Sequence, residues 1–332
     1  MNTSQSSKKS QTKEIDIAII FPAFNEELTI EGTLREFHQE LPDAQFWLID
    51  NNSSDSTRAF ATQVFKDLDL KGGIISERRQ GKGIAMRTAF LEIEADIYVM
   101  VDADQTYPAE AVHALIQPVS DGEADIVVGD RHSNGDYKKL NIRPLHFFGN
   151  NLVKRLVNIL YRSKLQDIMS GYRVMTKRFV KTCPILSNGF EIETEITLHA
   201  LDKRLRLKEV SIRYRARPLG SDSKLNTIQD GARVIRTIFN IFRHYRPIVF
   251  FFSTGLALVI LGLLSSIPVF SGYIQTGSVL NLPLAILATG LEISALISFT
   301  AGIILDSTIR HENLRFERNL LQWTSNSKTL KE

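Results

Sequence analysis

Two aspartates, Asp102 and Asp104, stand two positions apart directly after the apolar run that ends at Val101. In extended backbone, residues i and i+2 point to the same side, so these two carboxylates can converge on one point. Converging carboxylates suit a hard divalent cation, which also holds phosphate oxygens. A D-x-D spacing alone is a weak signal and more commonly belongs to a solvated turn. The pair therefore points to metal and phosphate only if other polar groups gather beside it.

Polar segments also follow the other predicted strands. "FPAFNEE" (21–27) ends the first strand and "IDNNSSDST" (49–57) ends the second, with Asp50 at the strand end itself. "ERRQGKG" (77–83) places Lys82 between two glycines before a helix, a typical anion cradle. Ligands of open α/β sheets bind outside the carboxyl ends of the strands, so we expect a nucleotide and its phosphates there. The P-loop and G-x-G-x-x-G patterns are absent, which disfavours the usual ATPase and dinucleotide sites.

The order of the apolar segments predicts the elements that carry these residues. Strands are predicted at 15–21, 45–50, 96–102 and 124–130. Helical spacing lies between them, with Leu28, Leu34, Phe37 and Leu41 on one face of the first helix and further helices at 81–93 and 108–119. Alternating strands and helices predict an α/β layer with a mostly parallel sheet. The almost continuous apolar runs agree with a sheet covered on both faces.

Composition excludes several classes of function. The chain has 332 residues, of which 43% are hydrophobic, and its formal net charge of +3 gives no global basic field for nucleic acid. The one cysteine, Cys183, excludes an internal disulfide, and the histidines show no zinc-ligand spacing. Residues 1–14 are polar and lack the apolar segment of a secretory signal, so we interpret them as a disordered tail.

Two long apolar segments near the C-terminus predict membrane spans. Residues 248–270 carry no charge and residues 282–305 carry one, Glu292. Each exceeds the roughly 20 residues that cross a bilayer, and a pair of buried helices in a soluble protein is the less favoured interpretation. Two hypotheses for Glu292 stay open: contact with a helix of another subunit, or a protonated acid tolerated within the helix pair.

Basic residues around the spans predict their orientation. Segments 242–246 and 310–318 are rich in arginine, whereas the linker 271–281 has no Lys or Arg. The positive-inside rule then puts both ends and the α/β domain on the cytoplasmic side of the inner membrane. Before the first span, residues 228–246 combine apolar positions with arginines, which favours an amphipathic helix lying in the membrane interface.

The ordered set of motifs resembles glycosyltransferase family 2, of GT-A fold. Within that family it is similar to the polyprenyl-phosphate glycosyltransferases, a group that includes dolichol-phosphate mannose synthases and bacterial glucosyl relatives. The motifs that carry the resemblance are "PAFNEE", "DNNSSDST", "GKGIAMRTAF", "DADQTYP", "VVGDR", "DIMSGYRVM", "GFEIETEI" and "RPLGSDSKL". It implies a Rossmann-like GT-A domain at 15–224, amphipathic interface helices at 225–247, two spans and a cytoplasmic tail at 306–332.

The resemblance also implies roles for individual residues. The residues that it implies for the nucleotide sugar are Pro22, Ala23, Glu27, Asp50, Asp102 and Gln105. We add Lys82 to this set because it lies in the basic segment that is typical of an anion cradle. Asp102 and Asp104 would bind Mg²⁺ or Mn²⁺ against the diphosphate. The expected acceptor-phosphate residues are Arg131, Arg143, Arg217, Ser223 and Lys224, the last three closing over the phosphates. Asp167 and Arg173 would face the transferred sugar and the reacting centre. Together with Asp102 and Asp104 they form the expected catalytic set. Two roles for Asp167 stay open: orienting a substrate, or acting as a weak base.

Two departures from the family pattern bear on these roles. "DNN" (50–52) stands where "DDG" is common, so the base is not predicted, and Asp130 stands where a serine is usual, next to Arg131. In "GFEIETEI", Glu191, Glu193 and Glu195 are interpreted as structural, as acids in a first helical turn often are.

The implied reaction is metal-dependent, inverting transfer of a hexose from a UDP- or GDP-sugar to a polyprenyl phosphate. The expected partners are the donor, the lipid acceptor and the membrane, with a second subunit contacting the spans as a further hypothesis. A processive polysaccharide synthase is the first alternative, but no Q-x-x-R-W signature precedes the spans. A membrane-anchored sugar-nucleotide binder without activity is the second.

The predicted orientation is tested by reporter fusions. A reporter joined after Thr276, in the linker, should show periplasmic activity, and a reporter at the C-terminus should show cytoplasmic activity, because the arginine-rich flanks stay on the cytoplasmic side. Cytoplasmic activity at both positions would contradict two spans with this orientation.

Overall fold

The computed structural model describes residues 15–135, 137, 144–218, 239–240, 243 and 246–329, with backbone only at 144–148 and 323–329. The chain divides into two compact units. Unit 1 comprises Met1–Pro144 and Lys164–Lys224, and unit 2 comprises Leu145–Ser163 and Leu225–Glu332.

Unit 1 is built on a seven-stranded sheet with the order β3-β2-β1-β4-β6-β5-β7. The strands are β1 (Ile17–Ala23), β2 (Gln45–Asp50), β3 (Gly72–Ser76), β4 (Ile97–Met100), β5 (Ile126–Asp130), β6 (Arg173–Thr176) and β7 (Leu207–Ser211). Within the described residues, β6 alone runs antiparallel to its neighbours, β4 and β5. The predicted mostly parallel α/β fold is therefore confirmed.

Helices cover both faces of this sheet. They are α1 (Ile30–Glu40), α2 (Thr57–Asp67), α3 (Lys82–Glu92), a short 3-10 helix (Ala109–Ala111), α4 (Val112–Ser120), α6 (Lys177–Thr182) and α7 (Ile192–Asp202). The helix α5 (Pro144–Tyr161) follows β5 in the chain and belongs to unit 2 from Leu145 onwards. Two hydrophobic clusters result, one around Phe21 and Phe37 and one around Met86 and Tyr98. Burial on both faces explains the continuous apolar runs in the central strands.

The first helix shows how spacing determines packing. Ile30, Thr33, Leu34 and Phe37 are buried, which is the i, i+3, i+4, i+7 pattern of one helical face. Phe37 contacts two aromatic rings edge-on, with centroid distances of 5.5 Å to Phe21 and 5.9 Å to Tyr172. It therefore joins α1 to both β1 and the segment that leads into β6.

Leu28 does not belong to that face, contrary to the sequence prediction. It is 62% exposed and precedes the first residue of α1. The cause is a turn at Asn25, whose φ of +53° places it in the left-handed region and delays the start of the helix.

Three strands were not predicted from the sequence. β3 contains two glycines, β7 is polar and only partly buried, and β6 begins with the charged Arg173. Apolar patterning cannot indicate such strands, because their pairing partners rather than their own side chains place them in the sheet.

Unit 2 contains α5 and two long helices, α8 (Pro247–Thr276) and α9 (Leu282–Thr329). Both long helices are apolar enough to cross a membrane, and only 11% of the most apolar stretch of each is buried. The core helices of a soluble protein are mostly buried, so this low burial disfavours that interpretation. The amphipathic segment predicted at 228–246 lies almost wholly outside the described residues.

Glycines let α8 and α9 approach closely. A side chain at Gly255 would meet the ring of Phe299, and one at Gly262 would meet the carboxyl group of Glu292. Ser298 Oγ donates a hydrogen bond of 2.8 Å to the Phe251 carbonyl across the pair. The Glu292 carboxyl therefore lies within the helix pair of a single chain. Beyond the predicted span, α9 continues without a break to Thr329, so most of the expected tail is helical.

Truncating Phe37 should destabilise unit 1 strongly. Phe37→Ala removes the ring between β1 and β6 and should cost about 3–5 kcal/mol, since the rigid surroundings cannot fill the cavity. The matched control is Leu91→Ala on α3: Leu91 is 71% exposed, and its loss should cost less than about 0.5 kcal/mol. Thermal melting of the two detergent-solubilised variants, followed by tryptophan fluorescence, measures the difference. Equal melting temperatures would contradict the central position of Phe37.

Candidate active site

The site lies at the carboxyl ends of β1 and β4. From β1 the sheet extends to β2 and β3 on one side and to β4 on the other, so a crevice opens where the order reverses. Pairing of β1 with β4 ends at Ile20 and Met100, followed by one hydrogen bond of 3.1 Å from Val101 N–H to the Ile20 carbonyl. Pro22, which has no N–H to donate, stands just beyond this point. The strands therefore separate where Asp102 emerges.

Asp102 and Asp104 both lie at this crevice. The Asp102 side chain is 28% exposed and passes close to the backbone at Gly171, where an added Cβ would lie 2.5 Å from its Oδ2. Asp104 is buried at 4% exposure, and its Oδ1 accepts hydrogen bonds from Thr106 N–H at 3.1 Å and Thr106 Oγ1 at 2.6 Å. The Asp102 carboxylate is thus partly open to solvent, whereas the Asp104 carboxylate is buried and fixed by hydrogen bonds from Thr106.

Each aspartate is contacted by a cation from a different part of unit 1. Lys82, the first residue of α3, reaches Asp102 Oδ1 and also Glu193 Oε1 on α7. Arg217, in the segment after β7, donates from Nη2 to Asp104 Oδ2 at 2.5 Å. Two acids and two cations at one crevice form a charge set that suits a metal-bound diphosphate.

Burial makes these charges interact strongly. The pKa of Asp104 is raised, first by burial and then by the neighbouring charge of Asp102. Burial lowers the pKa of Lys82, but the carboxylates of Asp102 and Glu193 outweigh it, so the net pKa is raised and the ammonium stays charged. The pKa of Glu193 is raised, chiefly by burial.

Glu193 is a site residue that sequence reasoning missed. Its side chain is 5% exposed and its carboxylate shares Lys82 with Asp102. The only sequence signal was the middle one of the three acids in "GFEIETEI". Glu195 has the structural role predicted for all three, because it accepts hydrogen bonds from the backbone N–H groups of Leu186 and Ser187 at 3.0 and 2.9 Å.

The residues expected to contact the nucleoside lie at the ends of β1 and β2. Ala23 pairs with Asp50 in the parallel register, and Asp50 is buried with its Oδ1 accepting from Ser53 N–H at 3.0 Å. Glu27 Oε2 accepts from Ser56 N–H at 2.9 Å, so its carboxylate ties the first loop to the start of α2.

Asn51, which departs from the common family pattern, has a structural role. The Asn51 amide donates to the Arg79 carbonyl at 2.7 Å and accepts from Gly81 N–H at 2.6 Å. Asn51 therefore fixes the loop that presents Lys82, while Asn52 takes the left-handed conformation with φ of +63°. Asp55 Oδ1 accepts from the N–H of Thr57, the first residue of α2, at 3.0 Å, although Ser56 is the residue at the N-cap position.

Arg131 and Asp167 form a second, separate charge pair. Arg131 donates from Nε and Nη2 to the two Asp167 oxygens at 2.7 and 2.9 Å, and its backbone N–H adds a third bond at 3.1 Å. The guanidinium carbon lies 4.6 Å from the ring centre of Tyr137, 5.5 Å from Tyr214 and 6.0 Å from Tyr107. We call this set the arginine cage.

In the arginine cage, the ion pair between Arg131 and Asp167 favours the ionised form of both side chains. Burial raises the pKa of Asp167, but the ion pair with Arg131 more than reverses this, so the net pKa is lowered. An ionised carboxylate with both oxygens occupied by a guanidinium is a poor proton acceptor. The geometry therefore supports orientation of Arg131 rather than base catalysis.

Arg173 does not reach an open surface. It is completely buried, and its guanidinium donates to the Ser170 carbonyl at 2.8 Å, the Ile168 carbonyl at 2.6 Å and Thr197 Oγ1 at 2.9 Å. The structure thus differs from the expectation that Arg173 faces the transferred sugar. Its side chain instead holds the loop that carries Gly171 behind Asp102.

Gln105 is placed against α1. Its φ is +57°, and its amide group occupies the space beside Gly32, where an added Cβ would lie 2.0 Å from Nε2. Three expected acceptor residues, Arg143, Ser223 and Lys224, lie outside the described residues.

The aspartate pair fits a divalent metal that substrate helps to bind. Across the described residues there is no group of three or more His, Cys, Asp or Glu side chains that could hold a metal alone. Mg²⁺ is commonly bound through one or two carboxylates plus substrate phosphates, which matches Asp102 and Asp104. Burial first and the charge of Asp102 second raise the pKa of Asp104, and a cation held by the two carboxylates would relieve the second effect.

Comparisons with known proteins agree with this fold. The chain is 30% identical over 248 residues to Glycosyltransferase AglJ of Haloferax volcanii, covering 74% of this chain and 78% of the relative. It is 28% identical over 220 residues to the undecaprenyl-phosphate mannosyltransferase of Micrococcus luteus, covering 63% of this chain and 87% of the relative.

A solved structure shows the same fold. Glucosyl-3-phosphoglycerate synthase from Mycobacterium tuberculosis, in complex with Mn²⁺, UDP and phosphoglyceric acid, matches with a TM-score of 0.54 at 20% identity, over 68% of this chain and 78% of that chain. The family model "Glycosyl transferase family 2" matches residues 18–183, which include Asp102, Asp104 and the Arg131–Asp167 pair. The chain therefore belongs to glycosyltransferase family 2.

Proposed function

We propose that this glycosyltransferase transfers one hexose from a UDP- or GDP-sugar to a polyprenyl phosphate, with inversion, at the cytoplasmic face of the inner membrane. The observation that carries the proposal is the aspartate pair at the β1–β4 crevice, with Lys82 on Asp102 and Arg217 on Asp104. A sugar nucleotide brings a diphosphate, and this arrangement offers it both metal-binding carboxylates and direct cations.

The donor diphosphate is held by the aspartate pair and its cations. Asp102 and Asp104 would bind Mg²⁺ or Mn²⁺, which supplies stabilisation of the negative charge on the departing nucleoside diphosphate. When phosphates arrive, Lys82 and Arg217 exchange part of their contact with the carboxylates for phosphate oxygens. Arg217 suits this exchange because its side chain is 30% exposed and its guanidinium can bind phosphate in two-point geometry.

The acceptor phosphate is assigned to Arg131. Within the described residues, the Asp167 carboxylate occupies Nε and Nη2, which leaves Nη1 without a hydrogen-bond partner. A lipid phosphate is already anionic at neutral pH, so it needs to be positioned for attack rather than deprotonated. The ion pair and the tyrosine rings hold Arg131 in one orientation, which reduces the entropy lost on binding.

A lipid acceptor explains the second unit. α8 and α9 are long and apolar enough to anchor the chain in a bilayer, where a polyprenyl tail also resides. The relative from Micrococcus luteus, by its name, transfers mannose to undecaprenyl phosphate. A water-soluble acceptor would not require a membrane anchor next to the catalytic unit.

Activity should depend on Asp104 and a divalent cation. Full-length protein with labelled UDP-glucose or GDP-mannose, undecaprenyl phosphate and Mn²⁺ should form labelled lipid, and chelation should stop it. Asp104→Asn should lower turnover about a hundredfold or more, because stabilisation of the leaving diphosphate is lost. Asp43→Asn is the matched control, since the Asp43 side chain is 82% exposed on the surface. Labelled lipid formed at wild-type rates by Asp104→Asn, or by chelated enzyme, would refute the assignment.

Asp167 should act through Arg131. Asp167→Asn removes the charge that orients the guanidinium, so KM for the lipid phosphate should rise roughly tenfold or more, as expected when one partner of a buried charge pair is lost. The lowered pKa of Asp167 means that it stays ionised between pH 6 and 8, so the substitution should not remove an acid limb from the kcat profile. Steady-state kinetics across that pH range, with the melting temperature as a folding control, distinguish this from general-base catalysis, which predicts a large fall in kcat and a changed pH profile.

A further inference from the structure

One large apolar side chain stands exposed beside the charged crevice. Phe190, in the turn before α7, is 52% exposed. Its ring centre lies 6.0 Å from Lys82 Nζ, the ammonium that contacts both Asp102 and Glu193. Phe190 is therefore an aromatic surface at the rim of the proposed diphosphate site.

The loop that carries Phe190 is firmly held. The N–H groups of Leu186 and Ser187 donate to the Glu195 carboxylate at 3.0 and 2.9 Å, and Gly83 N–H donates to the Asn188 carbonyl at 3.1 Å. These hydrogen bonds fix the backbone that carries the Phe190 ring, so little conformational entropy of the loop is lost when a ligand binds.

Glycines at the start of α3 allow the loop that carries Phe190 to approach this helix closely. A Cβ at Gly81 would lie 2.0 Å from the Asn188 carbonyl oxygen, and one at Gly83 would lie 2.1 Å from that of Ser187. Gly81 also has a φ of +140°, in the region that L-residues rarely adopt. The same two glycines thus bring Lys82 and the Phe190 loop together.

We propose that Phe190 is the platform for the hexose of the donor: the ring covers the C–H face of the sugar, while Lys82 and a cation that Asp102 would hold bind its diphosphate. This rests on the proposed function and adds a specificity-determining residue to it. A hexose next to a diphosphate presents an apolar C–H face, and an exposed ring within reach of the phosphate cations is the complementary surface. The arginine cage has its own aromatic rings, which favours the donor rather than the acceptor as the partner of Phe190.

The test compares sugar nucleotides with nucleoside diphosphates. Full-length protein in detergent with Mn²⁺ is titrated calorimetrically with UDP-glucose and UDP, and with GDP-mannose and GDP, and the pair that the wild type binds more tightly is used. Phe190→Ala should weaken binding of the sugar nucleotide about three- to tenfold, in the range of an aromatic contact, and change binding of the nucleoside diphosphate less than about twofold. Phe190→Tyr should retain both affinities, because the ring is kept.

Leu186→Ala is the matched control, since Leu186 is 82% exposed on the same loop and should leave both affinities unchanged. Equal weakening of sugar nucleotide and nucleoside diphosphate by Phe190→Ala would overturn the proposal, because the ring would then support Lys82 instead. Unchanged sugar-nucleotide binding, or an increase in KM for the lipid alone, would overturn it too. A wild type that binds neither pair would refute the proposed function itself, which is a different result from a variant that fails to discriminate.

Discussion

Electrostatic repulsion between two neighbouring carboxylates is the constraint on which the rest of this active site depends. Asp104 is buried, and both its burial and the charge of Asp102 raise its pKa. Such a pair is stable in the folded state only if positive charge lies against it. Lys82, at the start of α3, and Arg217, in the segment after β7, supply that charge, so the acidic pair brings these two segments to one crevice.

Groups with no direct role in the chemistry hold this arrangement in place. Gly171 lets the backbone pass next to Asp102, and its N–H donates to the hydroxyl of Tyr107 at 2.8 Å. Arg173, buried completely, donates to the carbonyls of Ile168 and Ser170, which lie just before Gly171 in the chain. The cost of burying a guanidinium is offset by three hydrogen bonds, and the result is a rigid wall behind the open carboxylate.

Two charge systems divide the proposed reaction between them. The first, centred on the aspartate pair, combines acids and cations and suits a metal-bound diphosphate. The second, the arginine cage, is a single guanidinium fixed by Asp167 and tyrosine rings and suits a phosphate that needs only to be positioned. Each anion then has its own cation, and Tyr107 joins the two systems: its ring centre lies 6.0 Å from the Arg131 guanidinium, and its hydroxyl accepts a hydrogen bond from Gly171 N–H beside Asp102.

The sequence by itself determined the class of fold, the two apolar helices and the aspartate pair, because periodicity, length and spacing are local properties of the chain. It did not determine the role of Glu193, the burial of Arg173 or the contact of Asn51 with the Lys82 loop, because these depend on contacts between segments 24 to 111 residues apart. Strands β3, β6 and β7 were likewise placed by their partners and not by their own patterns. Tertiary structure alone decided which of the many charged residues come into contact. The role of a charged side chain depends on its neighbours and on its burial, and a sequence motif specifies neither of these.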